Sequence, residues 1–92
     1  VVNLAVNKRP LVLGPDGITR SPEKEDELNK LMAGIFSSQG GKEALRYLRS
    51  ITIESVSGPN INPNELFHRE GMRFLVGLIE QRILRGQNGS GN

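Results

Sequence analysis

The sequence predicts a mostly α-helical domain of three helices behind a short extended arm. Apolar residues recur at helical spacing in two long segments, Ser-Pro and Asn-Pro pairs mark helix starts, and the first twenty residues carry β-formers with no helical period. The chain has 92 residues, of which 36% are apolar, so it holds one small domain at most. It divides into an arm (1–20), a helical domain (21–85) and a glycine-rich, flexible tail (86–92).

In the arm, Val1, Val2, Leu4 and Val6 are followed by Leu11-Val12-Leu13 and Ile18-Thr19, with Gly14-Pro15-Asp16-Gly17 between the last two groups. Proline presets φ and glycine accepts positive φ, the chemistry of a tight reversal, so this segment is extended or a β-hairpin. Strands this short are not stable alone. The arm's side chains Val1, Val2, Leu4, Val6, Leu11 and Leu13 therefore need cover, from the rest of the fold or by contact with a neighbouring subunit.

The first helix is expected at about 22–38. Ser21 caps it, Pro22 occupies its first turn, and Glu23, Glu25, Asp26 and Glu27 suit the positive end of its dipole. Leu28, Leu31, Met32, Ile35 and Phe36 form one apolar stripe, and Gly40-Gly41 should end the helix through a left-handed residue. A second helix follows at about 42–50, with Ala44, Leu45 and Leu48 inward. Ile51 to Val56 then reads either as an ordered excursion between helices or as an edge strand able to pair with the arm. Asn62-Pro63-Asn64-Glu65 opens the third helix, expected at about 63–85, with a capping box. That helix is apolar over most of its girth, which calls for a central position or a second partner. Gly71 and Gly77 inside it cost about 1 kcal/mol each relative to Ala, tolerable where another backbone approaches.

Several chemistries are missing or weak. Without cysteine there is no disulfide, thiolate nucleophile or Cys-based zinc site. His68 has no second histidine to make a metal pair, and it points about 200° away from Glu70 on the helix. It reads as a structural or exposed side chain. Gly40-Gly41-Lys42 lacks phosphate-loop spacing and reads as a helix cap. No run reaches the roughly 18 to 20 apolar residues of a membrane span, and residues 1–6 do not read as a signal peptide. No catalytic, metal or cofactor residue is predicted, no small-molecule substrate, and no enzyme activity.

Two sets of residues remain. Glu70, Gly71, Arg73 and Gly77 read as a helix-packing motif, with Gly71 as contact point and the charged pair locking geometry. Arg46 and Arg49 share a face, as do Arg82 and Arg85, and either pair could meet phosphates. A net charge of only +2, interleaved acids and few aromatics argue against a dedicated nucleic-acid binder.

The run Gly40-Gly41-Lys42-Glu43-Ala44-Leu45-Arg46-Tyr47-Leu48, then Asn62-Pro63, then Phe67-His68-Arg69-Glu70-Gly71-Met72-Arg73-Phe74 resembles the small helical virion proteins of short-tailed bacteriophages. The resemblance covers about residues 28–85 and rests on Glu-Gly-x-Arg at Glu70, Gly71 and Arg73 and on Gly-Lys-x-x-Leu at Gly41, Lys42 and Leu45. It implies a non-enzymatic structural protein of the virion, made in the host cytoplasm. Its partners would be copies of itself and portal, tail or internal virion proteins near the genome exit, with weak, sequence-independent contact to packaged DNA during ejection. A homo-oligomeric ring agrees with the excess apolar helix surface and the unsupported arm. The alternative is a small DNA-associating regulator using Arg46, Arg49, Arg82 and Arg85.

Overall fold

The computed structural model describes residues 10–88. Among these, a two-stranded antiparallel hairpin, β1 (Val12–Leu13) and β2 (Thr19–Arg20), precedes three helices, α1 (Pro22–Ser37), α2 (Gln39–Ser50) and α3 (Pro63–Gln87). Val1, Val2, Leu4 and Val6 lie outside the described residues. The hairpin register pairs Val12 with Arg20 and Leu13 with Thr19. Its reversal is closed by Gly17 N–H donating to Gly14 O (3.0 Å) and Gly14 N–H donating to Ile18 O (2.9 Å), with Gly17 at φ 83°. The sequence pattern Gly-Pro-Asp-Gly is satisfied locally: Asp16 Oδ1 accepts from Ile18 N–H at 3.0 Å, which fixes the turn from inside.

Helix starts follow their caps. Ser21 Oγ accepts from Lys24 N–H at 3.1 Å, and Asn62 Oδ1 accepts from Glu65 N–H at 2.8 Å, the asparagine half of the expected capping box. The junction of α1 and α2 corrects the sequence reading. Gly40 and Gly41 do not terminate α1, and Gly17 is the single positive-φ residue among those described. Ser38 ends α1 in extended geometry (φ −72°, ψ 162°) and caps α2 by accepting from Gly41 N–H at 3.0 Å, so α2 begins three residues before the expected Lys42. The second glycine serves close approach instead. A Cβ on Gly41 would fall onto Ile35 O and lie 2.7 Å from Phe36 Cα, so no larger residue fits under the end of α1.

Residues 51–62 form turns and irregular chain, the ordered excursion rather than an edge strand. Thr52 is buried, donates to Leu48 O at 2.6 Å, and extends the last turn of α2. At its far end α3 runs two residues past the expected boundary. Gly86, assigned to the tail by sequence, packs on α1: a Cβ there would fall onto Asn29 O and lie 2.7 Å from Ala33 Cβ.

The helices pack chiefly as α1 on α3, with α2 leaning mainly on α1. The apolar core is small. Val76 and Ile83 are the buried apolar side chains among the described residues, beside buried Glu25, Thr52 and Arg82. The α1 stripe is divided: Leu28, Met32 and Phe36 are half-buried and Leu31 and Ile35 exposed. The radius of gyration is 17.2 Å, against about 12 Å for a compact domain of this size. Apolar helix surface therefore stays in water that a compact packing would have covered.

Candidate functional site

Two features stand out, an ionic cluster at the α1–α3 contact and an open apolar stripe along α3. The cluster is built by helical spacing. Glu25 and Asn29 lie one turn apart on α1, and Arg82 and Gly86 one turn apart on α3. Gly86 brings the backbones close enough for Arg82, 4% exposed, to reach across. Arg82 Nη1 donates to Glu25 Oε1 at 3.0 Å and to Asn29 Oδ1 at 2.9 Å, and its Nη2 reaches Asp16 Oδ2 at 3.5 Å. Arg20, from β2, donates to Glu25 Oε2 at 2.6 Å and to Asp16 Oδ2 at 2.7 Å. Two arginines and two carboxylates thus tie hairpin, α1 and α3 together. Residues 11–20 are consequently the expected hairpin, held by the chain's own helices α1 and α3. Gly14 belongs to the same contact, since a Cβ there would press 2.8 Å from Glu25 Oε2.

The electrostatics suit a clamp. Hydrogen bonds from Arg20 and from the Ile18 amide hold the Asp16 carboxyl well below its ordinary 3.8. Burial pushes the Glu25 carboxyl up, but the bonds from Arg82 and Arg20 outweigh it and the net shift is downward from 4.5. Carboxylates held ionised this firmly are poor proton donors or acceptors near neutral pH. A depressed folded-state pKa supplies stability that is present above the ordinary carboxylate range and is lost as pH falls through the folded value. Acidification below about pH 4 is accordingly expected to loosen the hairpin first. Hydrogen exchange at the Gly14 amide, which the hairpin protects, should then accelerate before that of mid-α3 amides; simultaneous loss of both would count against a separate clamp.

The predicted site residues separate. Arg82 is corrected: buried in the cluster, it cannot meet a phosphate. Arg49 is engaged as well, pairing with Glu80 of α3 and with Glu54 at 3.3 Å; the Glu80 bond, then that to Glu54, raises its pKa. Arg46 is exposed beside Glu43 (3.1 Å), and Arg85 is exposed near the far end of α3. The four arginines do not make one basic face. Arg73 keeps its packing role by a different route: it donates to Thr52 O at 2.9 Å and Ser55 O at 2.5 Å, pinning the 51–62 excursion, while pairing with exposed Glu70 at 2.8 Å. Gly71 and Gly77 correct the packing motif, because among the described residues nothing lies within 4 Å of a Cβ built on either. A Gly71→Ala chain should gain about 1 kcal/mol in urea unfolding from helix propensity alone. A loss of stability there would contradict the open space around it.

The second feature is an exposed apolar stripe in the first half of α3. Met72, Val76, Ile79 and Ile83 are buried or half-buried, whereas Phe67, Phe74 and Leu75 are 69%, 61% and 57% exposed. Leu11 and Leu13, the described part of the expected arm contact, are also exposed, as is His68. No group of three or more His, Cys, Asp or Glu among the described residues could hold a metal ion, and none of their helices is long and apolar enough to cross a membrane. Sequence reasoning missed Asp16, Arg20, Glu25 and Asn29. The available signals were a carboxylate and an amide one turn apart beside the α1 stripe, and an arginine inside the apolar run Ile79 to Leu84.

Comparison with protein-family models, curated proteins and solved structures finds no match to the chain.

Proposed function

We propose that the protein is a non-enzymatic assembly subunit that works through protein–protein contact. The observation that carries this reading is the imbalance of its apolar surface. Two apolar side chains are buried among the described residues, while Phe67, Phe74, Leu75 and Leu13 are each more than half exposed. Exposed apolar surface on this scale marks an interface with another protein. The resemblance of residues 28–85 supplies the setting: a bacteriophage virion, with the subunit in a ring at the portal, the tail or the internal proteins near the genome exit. Dispersal of the arginines, with Arg82 buried, favours protein contact over the DNA-regulator reading.

Sedimentation of the purified protein, with and without duplex DNA across a salt series, tests the reading. An oligomeric mass that does not depend on DNA is expected. A monomer that binds duplex DNA with steep salt dependence would overturn it. The setting is tested separately by particle purification, in which the protein should persist at stoichiometric level through density fractionation; its loss from the particles would remove the virion from the proposal.

A further inference from the structure

The exposed stripe of α3 has a pattern of its own. Phe67, Gly71, Phe74 and Leu78 fall at i, i+4, i+7 and i+11, the alternation of fours and threes that keeps one seam facing a partner helix. Phe67, Gly71 and Phe74 are exposed and Leu78 is half-buried. The two phenylalanines are knobs, and Gly71, with nothing within 4 Å of a built Cβ among the described residues, is a notch between them.

We infer that this seam binds the same seam of a second copy, with the two α3 helices antiparallel and Phe74 of each copy seated over Gly71 of the other. The inference rests on the assembly-subunit reading and names one of its contacts, an isologous one that closes a pair and does not by itself build a ring. In this register Phe67 of one copy meets Leu78 of the other, so all four seam positions find apolar neighbours and each large side chain is opposed by a smaller one. A parallel pair stacks Phe74 on Phe74 and leaves the notch empty. Antiparallel pairing instead fills both notches and opposes the helix dipoles.

The area is sufficient. The exposed parts of Phe67, Phe74 and Leu75 amount to about 350 Å² per copy. With Leu78 and the stems of flanking polar side chains, two copies together remove roughly 1,000 Å² from water, the level at which a specific interface separates from an incidental contact. The pattern also explains why glycine stands at position 71, where the chain's own packing does not require it.

The chain has no cysteine, so an introduced one can cross-link only between copies. Full-length Phe67→Cys and Leu78→Cys chains are mixed under mild oxidation and compared with each alone. The mixture should give a disulfide dimer joining position 67 to position 78, with little dimer from either alone, because like positions lie about 16 Å apart along the axis. Gly71→Leu fills the notch and should weaken association at least tenfold without loss of helical signal. Dimer from Phe67→Cys alone at or above the mixture's yield overturns the antiparallel register. An oligomeric mass without the 67–78 disulfide, and insensitive to Gly71→Leu, overturns this contact and leaves the assembly reading standing. A monomer at all concentrations overturns both and gives the stripe to a different protein.

Discussion

An Arg82→Met chain is expected to lose about 3–5 kcal/mol of unfolding free energy, most of the stability a domain this small possesses. Removing the guanidinium leaves Glu25, 6% exposed, as a charge with only Arg20 beside it, and deprives Asn29 of its donor. The cost is that of an uncompensated buried carboxylate more than of a lost attraction. The double variant Glu25→Leu with Arg82→Met should therefore recover much of the loss, since a buried pair replaced by apolar side chains is often neutral or better. A double-mutant cycle by urea unfolding gives the coupling directly. A single-variant loss under about 1 kcal/mol would mean that Arg20 alone neutralises the site.

The second large effect is at Gly86. A methyl there would overlap Asn29 O and press 2.7 Å from Ala33 Cβ, both on α1, so the helices must separate at the point where Arg82 spans them. Gly86→Ala should cost about 2–3 kcal/mol, although alanine is the better helix former. The contrast with Gly71→Ala is the sharper test. Chemically identical changes in one helix should shift the urea midpoint of the dilute, unassociated chain in opposite directions, because within one copy one glycine faces a backbone and the other faces open space. Equal shifts would mean that α1 yields to a methyl at Gly86 without cost.

Much of the fold was legible because its signals are local. Ser21-Pro22 and Asn62-Pro63 announce helix starts within four residues, and Gly-Pro-Asp-Gly announces the reversal. The boundary at Ser38 was misread for the same reason. A glycine pair is the stronger stop signal in isolation, and only the crowding of Gly41 against Ile35 and Phe36 shows that those glycines serve close packing. The site was harder to read. Arg82 among apolar neighbours looks like a solvated residue on an amphipathic helix until α1 supplies Glu25 and Asn29, residues 57 and 53 positions away in sequence. Gly71 and Gly77 drew attention as contact points, while the glycine that makes the contact sat next to a tail-like run. Periodicity alone does not say which face of a doubly apolar helix its own fold will cover.

Val76 and Ile83 are the buried apolar side chains among the described residues, and an ionic cluster shares the α1–α3 contact with them. Exposure of apolar surface raises the heat capacity on unfolding and exposure of polar surface lowers it, so an isolated copy has a shallow stability curve. Its folded population changes little between cold and warm. In the proposed pair, burial of the phenylalanine seam would add apolar area, and with it curvature, so pairing would respond to temperature more than the fold of one copy does.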